Sequence, residues 1–224
     1  MPAVNENARW SSCVARLRKV LCIGLNYSDH VAEAGMPIPV EPLVFQKGVN
    51  TIVCPYGNIL IPRKSVNTDC EVELGVVIVK NARYLNTIEE ARDYIAGYCV
   101  SHDVSEREFQ LERSGQWSKG KSCNNFNPLG PFLADADEIN DVHMSFSING
   151  EQMQHGYRTL MVFDCLYLVY YQSLFMILEA SDLLNTGTPP RVGLGKKPPQ
   201  YLKRDMVELS IEGLGSPKQS CINS

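Results

Sequence analysis

A β-rich α+β fold in a single domain is what this sequence predicts. Short apolar or alternating runs recur along the whole chain, among them KVLCIGL, LVFQK, GVVIV, GYCVSHD, MSFSIN and DMVELSIEGLG. Helix signals are few and short. No repeat, low-complexity tract or linker divides the 224 residues, a length that suits one domain with a proper core.

Taken in order, residues 19–25 read as a buried strand and NYSDHVAEAG as a short helix stopped by Gly35. That helix places His30 and Glu33 at i, i+3 on one face. PIPVEP is a rigid, extended turn, and LVFQK (43–47) is a further strand. Pro55, Gly57 and Pro62 punctuate a hairpin-like region. TDCEVELGVVIVK (68–80) then reads as a strand with acids at alternating positions. Side chains in a strand alternate faces, so Asp69, Glu71 and Glu73 share one, about 7 Å apart.

Thr87 with Glu90 forms a capping box for a helix through about Tyr94, and Ser105 with Glu108 a second for a helix to about Arg113. Between them, GYCVSHD (97–103) is a strand ending on an acid. SGQWSKGKSCNNFNPLGP is loop by composition. Asn149-Gly150, between MSFSIN and EQMQ, signals a type I′ hairpin. Residues 161–178 read as a core helix interrupted by Asp164, Gln172 and Ser173. LLNTGTPPRVGLGKKPPQ leaves a strand for a long Gly/Pro loop. DMVELSIEGLG closes with Val207, Leu209 and Ile211 inward.

A net charge of −4 gives no field that favours nucleic acid or an anionic membrane. No apolar run reaches the roughly 18–20 residues of a membrane span. The eight cysteines are scattered, with no CxxC, which points to a reducing, intracellular compartment. The first residues lack the apolar core of a signal peptide. Arg9, Arg16, Arg18 and Lys19 lend a mitochondrial-transit character that Glu6 weakens, so mitochondrion and cytoplasm both stand.

Carboxylates this close raise each other's pKa unless a cation sits between them. Glu71, Glu73 and Asp103, the acid that ends the GYCVSHD strand, are the metal candidates, with hard oxygens suited to Mg²⁺, Mn²⁺ or Ca²⁺. Spacing alone also allows an acidic strand end facing water. Zinc is disfavoured, because the four histidines show no HxxxH or HExxH pairing. His30 and Glu33 could form a base–orienter pair or simply a solvated helix face. Lys121, in GKS, could stabilise an oxyanion, although loop lysines are usually solvated. The T-G-T-P turn at 186–189 offers backbone N–H groups to a carboxylate. GLGKK fails as a phosphate loop, since no Ser or Thr follows Lys196 and Pro190 stands where the first glycine belongs.

Together, GLNYSDHVAE, DCEVELGVVI, AGYCVSHDVSEREFQ, QWSKGKS, NPLGP, MVF, TGTPPRVG and YLKRDMVELSIEGLG resemble the fumarylacetoacetate hydrolase superfamily. The resemblance is nearest its fumarylacetoacetate hydrolase domain-containing protein 2 branch. It runs from about Val20 to the C-terminus, leaving 1–19 as an N-terminal extension and 20–224 as the catalytic domain. It implies a mixed β-roll or sandwich, usually a homodimer. It implies Mg²⁺ or Mn²⁺ on Glu71, Glu73 and Asp103, His30 with Glu33 as the general-base pair, and Lys121 as the oxyanion partner. It also implies Gln110 near the substrate and Thr188 at a substrate carboxylate.

The implied reaction is hydrolytic C–C cleavage of a β-diketo 2-oxo acid of the acylpyruvate or fumarylacetoacetate kind. The same parts would serve an oxaloacetate tautomerase or decarboxylase. A degenerate, non-catalytic dimer is the third reading. It rests on departures from the family pattern: Asn124 for an aspartate, Arg158 for a threonine at the site's expected edge, and Ser181 and Arg204 for glycines. Where such a glycine has φ > 0, a side chain costs roughly 1 kcal/mol.

Overall fold

The computed structural model describes residues 10–224. Arg9 and Glu6, and with them part of the transit-like segment, lie outside the described residues. β1 (Val20–Gly24), α1 (Ser28–Glu33) and β2 (Leu43–Lys47) open the fold where the apolar runs predict, with Gly35 at φ +65° stopping the helix. β3 (Ile52–Val53), β4 (Ile59–Ile61), β5 (Thr68–Asp69) and β6 (Val72–Ile78) follow. β7 (Ile95–His102), β8 (Ser105–Glu106), α2 (Ser118–Lys121) and β9 (Asn127–Pro128) make the middle of the chain. The hairpin β10 (His143–Ile148) and β11 (Glu151–Tyr157) precedes α3 (Cys165–Ser173). β12 (Leu183–Asn185), β13 (Met206–Ile211) and β14 (Lys218–Asn223) complete it.

Two five-stranded sheets, ordered β2–β1–β12–β6–β7 and β11–β10–β13–β14–β4, pack as a sandwich. Both are mixed, with β1–β12 and β14–β4 parallel and the other pairings antiparallel. Leu74, Val76 and Ile78 of β6 meet Met144, Phe146, Val207 and Leu209 of the opposite sheet in one core. Burying each such side chain contributes about 1.5–3 kcal/mol. The other face of the first sheet is covered too. Val77, Cys99 and Leu183 pack there with Leu129 and with Val14 of the segment before β1. Burial on both faces is why β6 reads as the unbroken run GVVIV.

Several predicted elements take another form. The Pro55–Pro62 region is no hairpin: Gly57 N–H closes a turn on the Cys54 carbonyl, but β3 pairs with β9 and β4 with β14. The acidic strand breaks at Cys70 and Glu71, because the Asp69 carboxylate accepts from the Cys70 N–H at 2.8 Å and β5 pairs with β8. Ser105 lies in β8 and caps nothing. Its hydroxyl donates to the Asp103 carbonyl, and a π-helical turn at Glu108–Glu112 replaces the predicted helix. The Thr87 box starts only a 3₁₀ helix (Glu89–Tyr94), with the Glu90 carboxylate turned back to the Asn86 N–H.

The long core helix is α3 alone. Asp164 is its N-cap, accepting from the Tyr167 N–H at 2.8 Å, and the Ser173 hydroxyl turns back to the Tyr170 carbonyl at its end. Two of the residues that interrupt the apolar run are therefore its ends. The Asn149-Gly150 hairpin forms as expected, with φ +51° and +85°.

Candidate metal centre

Paired β6 and β7 build the centre. Val72 and Leu74 face the inter-sheet core, so the alternating Glu71 and Glu73 face the other way. Asp103, just past β7, donates its N–H to the Glu71 carbonyl at 3.0 Å, which sets the two residues opposite each other. One oxygen from each of Glu71, Glu73 and Asp103 lies within 4.8 Å of the others, and all three residues are buried. Beneath them, Ser101, Asn127 and Asn185 close a ring of side-chain hydrogen bonds at 2.8–2.9 Å, tying β7, β9 and β12 together.

Buried carboxylates so close repel, and cations hold them. Lys121 Nζ donates to Glu71 at 2.6 Å and to Asp103 at 2.8 Å. Lys47 Nζ donates to the other Asp103 oxygen and to the carbonyls of Val104 and Phe126. Arg107 Nη2 reaches Glu71 at 2.6 Å and Asp69 at 2.7 Å, while its Nη1 donates to Gln110 Oε1 at 3.0 Å. Among the described residues no lysine or arginine ion-pairs with Glu73, which accepts from the Gly187 N–H at 2.9 Å.

The charge states follow. Burial opposes ionisation of Glu71, yet Lys121 and Arg107 hold its carboxyl well below the usual range. Burial, then the charges of Asp103 and Glu71, push Glu73 well above it. Burial works against the Lys121 charge, and Asp103 and Glu71 overcome it, so its pKa is raised. The four acids Asp69, Glu71, Glu73 and Asp103 thus face three cations, Lys47, Arg107 and Lys121. Glu73 is the carboxyl left without a cation of its own, and this hard-oxygen set fits a divalent cation of the Mg²⁺ or Mn²⁺ type.

Over this floor lies a cavity of about 570 Å³, lined among others by His30, Glu33, Glu71, Glu73, Gln110, Lys121 and Thr188. His30 Nδ1 lies 3.5 Å from Glu33 Oε2 and has no hydrogen-bond partner. Glu33 is itself anchored: Arg191, at φ +72°, donates its N–H to Glu33 Oε2 at 2.8 Å.

The structure thus brings every candidate residue to one place, with corrections of detail. Lys121 is no solvated loop residue. It sits on α2, pressed inward because Gly120 meets the π-helical turn: a Cβ there would lie 2.4 Å from the Glu106 carbonyl and 2.5 Å from the Gln110 nitrogen. The T-G-T-P turn does meet a carboxylate, the chain's own Glu73. The Thr188 hydroxyl is engaged on both sides, donating to the Val72 carbonyl and accepting from Gln154 Nε2, each at 2.9 Å. Arg158 is away from the cavity. Its guanidinium binds the Ile139 and Asn140 carbonyls and lies over Tyr98. Ser181 does take φ +74°, whereas Arg204 has no positive φ, so only Ser181 carries the cost of a lost glycine. Asn124 is exposed.

Lys47 and Arg107 escaped the sequence reading. A lysine closing an apolar strand and an arginine three residues before Gln110 were the available signals, and neither says that the charge is buried. Among the described residues no helix is long and apolar enough to cross a membrane.

A two-sheet sandwich enclosing a carboxylate cluster, a buried lysine and a His–Glu pair defines a candidate acid–base enzyme on a metal-fitting site. The chain belongs to the fumarylacetoacetate hydrolase family: the model of the fumarylacetoacetate hydrolase C-terminal domain matches residues 19–221. A Burkholderia ambifaria protein named "Putative hydrolase" is 49% identical over all of this chain and 81% of its own length. The fumarylacetoacetate hydrolase of Exiguobacterium antarcticum is 34% identical with a TM-score of 0.88, covering all of this chain and 81% of its own. The 5-carboxymethyl-2-hydroxymuconate delta-isomerase of Mycobacterium smegmatis is 29% identical with a TM-score of 0.85, over 96% of this chain and 82% of its own. These matches define the superfamily and do not single out a branch within it.

Proposed function

We propose that the protein is a divalent-metal-dependent hydrolase that breaks a C–C bond in β-diketo 2-oxo acids of the acylpyruvate or fumarylacetoacetate kind. One observation carries the reading: His30 with Glu33, and Lys121, open onto the same cavity as Glu71 and Glu73. Glu71, Glu73 and Asp103 would hold Mg²⁺ or Mn²⁺, which supplies Lewis-acid polarisation of a 2-oxo carboxylate.

The chain's own residues do the rest. With Nδ1 turned to Glu33, His30 has Nε2 left to take a proton from water, and Glu33 stabilises the imidazolium. The activated water attacks the distal carbonyl. The C–C bond breaks, its electron pair passing to C3, the carbon between the two carbonyls, as an enolate of the 2-oxo group that the Lys121 ammonium stabilises. His30 returns the proton. Gln110, its Oε1 held by Arg107, keeps its amide N–H groups for the substrate. Thr188 shapes the wall, since its hydroxyl is already engaged.

The isomerase-named neighbour favours a second reading, tautomerisation of a 2-oxo diacid such as oxaloacetate through the same enolate. Decarboxylation would use it too. The non-catalytic reading loses support, because Arg158 and Arg204 do not disturb the cavity. NMR product analysis with acetylpyruvate, with and without Mg²⁺, tests the proposal. Metal-dependent formation of acetate and pyruvate is expected. Metal-dependent enol–keto exchange without carbon–carbon cleavage would replace hydrolysis by the second reading.

The family reading carries a homodimer with it, which light scattering would report as twice the 25.0 kDa chain. Eight free thiols suit a reducing interior, and the bacterial relatives favour cytoplasm over mitochondrion.

A further inference from the structure

We infer that the cavity is an apolar acyl-binding wing, so that the protein selects 2-oxo acids with an alkyl or aryl end over 2-oxo diacids. The inference rests on the function proposed above and names its substrate class. Besides the carboxylate floor and the His30–Glu33 pair, the cavity has walls of another kind. Leu43 and Phe45 of β2 line them together with Trp117, which packs edge-on against Phe45 at 5.3 Å between ring centroids. Gly24 of β1 lets this wall close up: a Cβ there would lie 2.7 Å from Leu43 and 2.9 Å from the Trp117 ring. The wall is therefore packed and preformed.

Around it, large apolar side chains stay in water. Met36 is 50% exposed, Leu111 46%, Leu43 40% and Leu194 39%, and all four line this one cavity. Apolar surface gathered at a concave site and left uncovered marks a ligand's apolar part. A small diacid would use none of it, and about 570 Å³ exceeds what such a molecule fills. Lys196 and Lys197 are the competing chemistry. They also line the cavity, and among the described residues neither has an ion-pair partner. Long apolar stems let such side chains keep their ammonium groups in water.

Calorimetric binding in Mg²⁺ of 2-oxobutyrate, 2-oxohexanoate, 2-oxooctanoate, phenylpyruvate and the diacid 2-oxoglutarate tests this without requiring turnover. The expected Kd falls about three- to fourfold per added methylene, with phenylpyruvate tighter than 2-oxoglutarate. Trp117→Ala should flatten that gradient. Leu43→Ala, on an edge strand and less able to disturb α2, should flatten it in part. Equal Kd values along the series, or 2-oxoglutarate tighter than 2-oxohexanoate, overturn the inference, the latter in favour of the lysines. Absence of all binding overturns it as well. A chain-length gradient without carbon–carbon cleavage leaves the wing and removes the proposed reaction; cleavage with a flat series does the reverse.

Discussion

Asp103 and Glu71 face each other across the β6–β7 pairing, the Asp103 N–H donating to the Glu71 carbonyl at 3.0 Å. Backbone pairing thus fixes the separation of two carboxylates before any side chain chooses a rotamer. Lys121 then bridges them at 2.6 and 2.8 Å. The cluster is preorganised by sheet register, which makes its response to substitution predictable.

Glu73→Gln keeps the shape of the side chain and an acceptor for Gly187, so the fold should survive. Loss of its charge should abolish most of the Mg²⁺-dependent rise in melting temperature expected of wild type. Glu71→Ala should lose the same rise and also stability, about 3–5 kcal/mol, because Lys121 and Arg107 lose a buried partner. Differential scanning fluorimetry against a Mg²⁺ series measures both. An unchanged metal response in Glu73→Gln would remove it from the ligand set.

His30→Ala should leave the Mg²⁺-dependent melting shift intact and lower turnover by about 10²–10⁴-fold. Steady-state kinetics beside the melting curves separates the two effects. Turnover equal to wild type would take His30 out of the proton chemistry.

Lys47 has no access to the cavity, and its buried ammonium faces Asp103. Lys47→Met should cost about 3–5 kcal/mol in urea unfolding, and adding Asp103→Asn should recover part of it. A cost under 1 kcal/mol would mean that Asp103 relaxes without its partner.

His102 is buried, which lowers its pKa to about 3, with Lys47 acting in the same direction against the hydrogen bond its Nδ1–H donates to Gln219 Oε1 at 3.0 Å. The unfolded chain protonates this imidazole near pH 6.5 and the folded chain does not. Stability from keeping it neutral is therefore full above pH 6.5 and lost as pH falls toward 3. Between pH 7.5 and 5 the loss should be about 2 kcal/mol, and smaller in His102→Gln, by urea unfolding at each pH.

Ser181→Gly should stabilise by about 0.5–1 kcal/mol, relieving φ +74° against the extra freedom of the unfolded glycine. Arg204→Gly, with no positive φ to relieve, should not stabilise.

The strands and the Glu71–Glu73 pair are legible because period-2 alternation is a local property of the chain, whereas Asp103 joins them only as the acid ending a second strand and through the family resemblance. What stayed hidden depends on contacts distant in sequence. Ser105 and Glu108 have the letters of a capping box, but pairing of β8 with β5 claims Ser105 for a ladder. QWSKGK looks like loop, and α2 forms because Gly120 fits against the Glu108–Glu112 turn. Lys47 reads as the polar end of a strand, since nothing local announces Asp103 above it. Arg158 looked like an intruder at the site because its neighbours Ile139, Asn140 and Tyr98 lie far off in sequence.

Glu73, whose neighbour is the Gly187 N–H and no ammonium, has a consequence for stoichiometry. A carboxyl raised by burial and by two adjacent carboxylates holds its proton to higher pH, and a divalent ion arriving there displaces that proton into the buffer. Occupancy becomes an exchange reaction: apparent metal affinity climbs with pH, and the calorimetric heat of binding varies with the ionisation enthalpy of the buffer. At fixed Mg²⁺, acidification alone would then empty the site while the sandwich around it stays folded.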